Sequence, residues 1–263
     1  MKPRRAKYVA CRNQMTTLCF MPEVQWSPVD EDDVFSQRVR EQWTEQLGRR
    51  LDILIAGCGG GGTLDARRGD PLVTGVDEDL PPLRAHTVSR QDLDAYYLDD
   101  MRAVPIAPRS YDVIYVSFLL ERIHNAELVL DRLIAGLRPG GLLLVRARDR
   151  RSAYGFCDRM APSWLRGLLW KALAPAGTVG PLPAVYEPLV SREGIQTYCL
   201  MRGLMIAEDY TKTSGPARRG PHAGLVKTAC GIVSALSGDR LTDKADEISM
   251  VIRKPQNHFA RLI

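Results

Sequence analysis

The stretch that decides the fold is Leu51-Asp52-Ile53-Leu54-Ile55-Ala56-Gly57-Cys58-Gly59-Gly60-Gly61-Gly62. A short aliphatic run that breaks off into glycine reads as a buried strand followed by a tight turn. Glycine lets the backbone reverse sharply and lets a ligand come close where a Cβ would collide. Thr63 stands where a helix could open behind the turn. Gly57, Gly59 and Gly62 also fit the dinucleotide spacing G-x-G-x-x-G, a pattern that a plain turn in a non-binding α/β protein satisfies equally well.

Working outward, residues 72–76 form a second short strand ending at Asp77. A carboxylate at that place can accept hydrogen bonds from both hydroxyls of an adenosine ribose; the alternative is an acid capping the turn at Glu78-Asp79. Residues 95–98 read as a third strand, followed by Asp99-Asp100, which could meet an adenine amino group or stand in solvent. Residues 111–118 are a β-rich fourth strand. From 125 to 137 the apolar positions Leu128, Val129, Leu133, Ile134 and Leu137 recur at helical spacing, and Pro139-Gly140-Gly141 is expected to stop that helix before a fifth strand at 142–145.

Upstream, residues 30–47 predict a helix with Asp30, Glu31, Asp32 and Asp33 at its positive dipole end and Val34, Val39, Trp43 and Leu47 as its apolar stripe. Further on come a helix at 191–202, a strand at 204–207, a helix at 222–236 and a strand at 248–252. Strands alternating with helices argue an α/β, doubly wound, mostly parallel sheet with ligand sites at the carboxyl ends of its strands. Residues 150–190, rich in Trp, Pro and Leu, break this rhythm and read as an insertion. Within it Trp164, Leu165, Leu168, Leu169, Trp170 and Leu173 predict a lid or core helix over a hydrophobic acceptor, with Trp164 and Leu168 among the covering side chains. Peripheral membrane contact through 163–173 and a homodimer contact are the alternatives.

Composition bounds the class. With 263 residues, 45% hydrophobic and 25% charged, the chain is too apolar for a disordered linker and can bury a full core. The net charge of +5 is accounted for by Lys2, Arg4, Arg5, Lys7 and Arg12, in a segment without an acid. Residues 1–20 therefore read as a flexible basic leader, and 21–263 as a single neutral domain for which no nucleic-acid partner is expected. No apolar run reaches the ~20 residues of a bilayer span, so no integral membrane segment is expected. Cys11, Cys19, Cys58, Cys157, Cys199 and Cys230 are scattered without a C-x-x-C pair, which predicts neither disulfides nor a metal site and fits a reducing cytoplasm.

Several segments in series resemble the class I S-adenosylmethionine-dependent methyltransferases, small-molecule type. They are Ile53-Leu54-Ile55-Ala56-Gly57-Cys58-Gly59-Gly60-Gly61, then Thr74-Gly75-Val76-Asp77, Asp100-Met101, Tyr111-Asp112-Val113-Ile114, Leu120-Glu121-Arg122-Ile123 and Leu137-Arg138-Pro139-Gly140-Gly141. The resemblance covers roughly residues 50–148, and the series is far more specific than any one member. It implies a Rossmann-like, seven-stranded sheet with the last strand antiparallel and a helical insertion as lid. It implies S-adenosyl-L-methionine as cofactor, with S-adenosyl-L-homocysteine as product. Gly57, Gly59 and Gly61 would lie against the methionine moiety, Asp77 on the ribose, and Asp100 with Met101 at the adenine. Cys58, Glu78 and Ser117 complete the cofactor site the resemblance implies. Two positions depart from the family: Ile55 replaces a commonly acidic residue, and Arg122 stands where many relatives have His after Glu.

Methyl transfer is an in-line displacement at a carbon activated by a sulfonium, so alignment and exclusion of water matter most and a base is helpful without being obligatory. Glu121, His124, Tyr154 and Tyr186 are the candidates for that base. Three have a plainer alternative: Glu121 orienting Arg122, His124 at the surface beside Asn125, Tyr186 packing the insertion on the sheet. The function implied is methyl transfer to a small, hydrophobic acceptor in specialised metabolism. Two alternatives stay open, a fold member that binds the cofactor but cyclises or rearranges its substrate, and a non-catalytic binding protein. A nicotinamide oxidoreductase is set aside by the motif series.

Overall fold

The aliphatic run does form a strand, β1 (Asp52–Ala56), because every residue after Asp52 is buried and both faces are covered. The structure is a computed structural model that describes residues 31–62, 64, 70–175, 177–220, 222–238 and 240–256. The basic leader at 1–20 and Thr63, with the helix it was expected to open, lie outside the described residues.

Seven strands make one sheet: β1, β2 (Leu72–Asp77), β3 (Ala95–Leu98), β4 (Tyr111–Ser117), β5 (Leu137–Arg148), β6 (Met205–Lys212) and β7 (Glu247–Arg253), in the order β3-β2-β1-β4-β5-β7-β6. β1 to β5 pair in parallel, and β7 runs antiparallel to both β5 and β6, as the resemblance implied. The order reverses at β1, so the carboxyl ends of β1 and β4 flank the crevice where such sheets hold ligands.

One face is covered by α1 (Glu31–Glu45), whose Phe35 and Val39 join Ile53, Ile55, Val113, Tyr115 and Leu144 in a core. Phe35 meets the Tyr115 ring edge-on. The opposite face is covered by α3 (Ala126–Gly136) and α6 (Arg192–Met201), with Val129, Leu133, Ile195 and Tyr198 packed against Leu54, Ile114, Leu143 and Ile252. Each fully buried aliphatic side chain of this kind contributes about 1.5–3 kcal/mol. Pro81 and Pro82 open α2 (Pro81–Val88), where a missing N–H costs nothing.

Several boundaries differ from expectation: β5 and β6 are longer than the strands read at 142–145 and 204–207, and two helix ends move. Leu47 is exposed and past the end of α1, so the stripe that packs is Phe35, Val39 and Trp43. The helix before β5 ends at Gly136, not at Pro139-Gly140-Gly141, because Leu137 already pairs with Tyr111. A Cβ at 136 would lie 2.6 Å from Ile106 Cγ2, so the last position of the helix admits only glycine without a shift.

The insertion carries α4 (Ala153–Met160) and α5 (Ser163–Leu173), and the β6–β7 connection carries α7 (Pro216–Arg219) and α8 (Ala223–Leu236). Asp246 ties the two ends of the β6–β7 connection to the end of β5: its carboxylate accepts from the Ser214 and Gly215 N–H groups at 2.9 and 2.6 Å and lies 3.4 Å from Arg148. No described helix is long and apolar enough to cross a membrane.

Candidate active site

Gly57 begins the turn with φ 91°, and an added Cβ would sit 2.3 Å from the Ser117 carbonyl oxygen. The position therefore excludes every side chain on both conformational and steric grounds. The turn then winds through one 3-10 turn, Cys58–Gly60, and comes back onto β4, where a Cβ on Gly62 would lie 1.9 Å from Ser117 Oγ. Arg90 holds it from behind, donating to the carbonyls of Cys58 and Gly62 at 2.7 and 2.9 Å. The Cys58 thiol is buried against Thr87, and burial pushes it up to about 11. Ser117 Oγ is buried with no partner, an orphan that a polar ligand atom could satisfy.

The ribose carboxylate is arranged differently from what its spacing led one to expect. Asp77 ends β2 and is 0% exposed. Its Oδ2 accepts from the Gly59 N–H at 2.7 Å. Its Oδ1 accepts from the Glu78 N–H at 2.7 Å and from Arg122 Nη2 at 2.5 Å. Arg122 is itself buried, 2% exposed, with Nε donating to the Phe118 carbonyl at 2.9 Å and Nη1 3.5 Å from Glu78 Oε2. Burial raises the Glu78 carboxyl, with Arg122 opposing the shift. Asp100 is exposed and bound by Arg102 at 2.6 Å, which holds its carboxyl at about 2; Met101 beside it is buried. The turn and the Ser117 hydroxyl fit the methionine end of the family's cofactor. The ribose end does not fit in this conformation, because Asp77 has no oxygen a sugar can reach.

On the far side of β4, a chain of contacts leads away from the turn. Phe118 follows Ser117 with φ 47°, and its ring lies 4.9 Å under the Arg148 guanidinium, which is also 5.4 Å from the Tyr154 ring. Glu121 is buried beside them; burial pushes its carboxyl up to about 7, and its Oε2 has no partner. The Glu121 carbonyl accepts from the Val185 and Tyr186 N–H groups. Tyr186, buried and at φ 49°, donates its hydroxyl to Asp158 at 2.9 Å. Two bulky residues in the left-handed region cost about 1–3 kcal/mol each, a strain that clusters at functional sites.

Tyr154 and Asp158, one helical turn apart on α4, form the polar side of a cavity of about 400 Å³. Its other walls are Leu169, Trp170 and Leu173 of α5 and Leu225, Val226 and Cys230 of α8. Burial raises Tyr154 to about 12 and raises Asp158 as well. The Cys157 thiol is lowered by its hydrogen bond with Cys230, the neighbouring thiol. Trp164 and Leu168 are 67% and 61% exposed on the outer face of α5. That corrects the expectation that they cover an acceptor; the residues facing the cavity are the next ones round the helix.

Of the four predicted candidates for a base, the fold brings Glu121, Tyr154 and Tyr186 into one cluster, in which Glu121 and Tyr186 are buried and Tyr154 is half-buried. His124 stands apart, exposed before α3 and acting electrostatically on Glu78. Asp158 and Arg148 were missed. Asp158 had a usable signal, lying four residues after Tyr154 on one face of a helix; Arg148 had none, since its role comes from stacking on Phe118 and Tyr154.

The sheet order, the glycine turn at the carboxyl end of β1 and the acid ending β2 define a methyltransferase-type α/β fold. A family model described as "Methyltransferase domain" matches residues 32–187, and the chain belongs to that family, whose cofactor is S-adenosylmethionine. The methyltransferase str3 of Strobilurus tenacellus is 30% identical over 114 residues, 43% of this chain and 41% of that protein. The match thus spans about two-fifths of that relative. Among solved structures, a putative sarcosine dimethylglycine methyltransferase from Galdieria sulphuraria aligns with a TM-score of 0.51 at 12% identity, covering 86% of this chain and 85% of that one. The [4+2]-cyclase SpnF aligns with a TM-score of 0.50 at 15% identity, covering 84% and 81%. At these identities the likeness is one of fold.

Proposed function

We propose that this chain transfers a methyl group from S-adenosylmethionine to a small, largely apolar acceptor held between α4, α5 and α8. The observation that carries this reading is the cavity: about 400 Å³, mostly apolar and within the size range of small-molecule sites. It is linked to the glycine turn through Tyr154, Arg148 and Phe118.

An acceptor seated there meets two polar side chains that ionise, Tyr154 and Asp158, besides the thiols and the Arg166 guanidinium. Asp158 is the group proposed to take its proton, because a carboxyl raised by burial is a better base near neutral pH. Tyr186 orients the half-buried Asp158, and Glu121 stands behind the tyrosines as a buried carboxyl. His124 is assigned to the outer rim with Glu78. A cytoplasmic location is proposed from the scattered cysteine spacing of the sequence.

The test is incubation of the purified chain with S-adenosylmethionine and a panel of small apolar alcohols, phenols and amines, followed by mass spectrometry. A product heavier by one methyl, formed with an equal amount of S-adenosylhomocysteine, is the expected outcome; cofactor that stays intact against the whole panel overturns the proposal. One observation favours a second reading: Arg122 already satisfies the carboxylate a cofactor ribose would take. That reading is a fold member that cyclises or rearranges its substrate; the neighbour SpnF is by its name a [4+2]-cyclase. An isomerised product without mass gain selects it.

A further inference from the structure

We propose that Arg122 is this chain's own occupant of the ribose subsite: a nucleoside cofactor binds after the Arg122 side chain leaves Asp77, and residue 122 sets the cofactor affinity. The inference rests on the reading that the glycine turn takes S-adenosylmethionine. It starts from accessibility. A ribose hydroxyl must touch a carboxylate oxygen to donate to it, and Asp77 is 0% exposed, with protein donors on both oxygens.

Two of those donors cannot be traded. The Gly59 and Glu78 N–H groups belong to the turn and to the residue next in sequence, so they move with Asp77. Arg122 comes from a different element, the segment after β4, and reaches Asp77 only through its long side chain. Exchange of its guanidinium N–H for a sugar O–H keeps the carboxylate satisfied, donor for donor.

The arginine also has somewhere to go. Its Nε bond to the Phe118 carbonyl roots the side chain at the end of β4, and Glu78 Oε2 is 3.5 Å from Nη1 on a side chain 28% exposed. Pivoting about the Phe118 bond, the guanidinium can leave Asp77 and stay beside Glu78, so its charge is never without a counter-ion. The cost of breaking a buried ion pair is thereby reduced to an exchange of partners. Apparent affinity then falls by the fraction of molecules in which Asp77 is open.

Calorimetry on the full chain and its Arg122→Ala variant tests this, with S-adenosylhomocysteine, adenosine and 2′,3′-dideoxyadenosine as ligands. The variant is expected to bind S-adenosylhomocysteine and adenosine at least about tenfold more tightly than the parent, while the dideoxy analogue gains nothing. A gain shared by the dideoxy analogue is general loosening and overturns the proposal, as does unchanged or weaker binding in the variant. If the parent binds and residue 122 is indifferent, the latch falls and the methyl-transfer reading stands; if neither protein responds to any ligand at millimolar concentration, both fall. Should Arg122→Ala not fold, Arg122→Met, which keeps much of the side chain's bulk but has no donor for Asp77, must bind adenosine more tightly than the parent, and equal or weaker binding overturns the proposal.

Discussion

At the scale of the residue, Glu121 shows how burial turns a surface type of side chain into a titrating core group. Its folded carboxyl is raised to about 7 from an ordinary value of 4.5. The protonated form is therefore the one the fold prefers, its stability contribution is complete below about pH 4.5, and it is lost as pH rises toward 7. Glu121→Gln should accordingly raise the unfolding free energy at pH 8 by on the order of 1–3 kcal/mol, with the gain vanishing near pH 4.5. Denaturant titrations of both proteins at the two pH values check this, and a gain independent of pH would sink it. Glu121, Tyr154 and Tyr186 were legible in the sequence because a polar side chain after a strand or in an apolar insertion stands out. The Arg122–Asp77 pair was not. Sequence gave each residue a place on its own element, whereas their bond depends on two strand ends facing each other across β1.

At the scale of the element, strands were easier to find than their limits. β3 has the predicted bounds because Asp99 follows it at once, but β5 begins at Leu137, inside what periodicity assigned to a helix. Leucine serves both states, and the choice was made by the Tyr111 pairing. The same ambiguity affected α5, where apolar residues occur all round the helix and the inward side could not be read from spacing. The cavity now orders them. Trp170→Ala with Leu173→Ala should raise the acceptor's KM roughly tenfold or more with little effect on cofactor affinity, while Trp164→Ala with Leu168→Ala should leave both nearly unchanged. Steady-state kinetics with each substrate varied in turn would expose a wrong assignment as equal effects from the two pairs.

At the scale of the whole molecule, the sheet has a chemical end and a structural end. At the latter, buried Asp112 accepts from Arg49 at 2.5 Å, Arg138 at 2.6 Å and the Asp52 N–H at 3.0 Å. It ties the starts of β1, β4 and β5 together. Asp112→Ala should cost about 2–4 kcal/mol, discounted for the solvent access of Arg49 and Arg138, and lower the melting temperature by roughly 4–16 °C. The surviving folded fraction should keep its KM values, which thermal melts and kinetics together would decide.

The fold class was readable because a parallel sheet repeats one pattern, strand, turn, helix; the cavity was not, because the α4–α5 insertion meets α8 only after about fifty residues of intervening helix and sheet. That separation reaches back to synthesis. A nascent chain that has emerged as far as β6 contains every residue of the glycine bend, yet the cavity between α4, α5 and α8 still lacks a wall. Until residues 225–230 leave the ribosome there is no enclosed place for an oily guest, and during that interval the inner side of α5 is bare to chaperones.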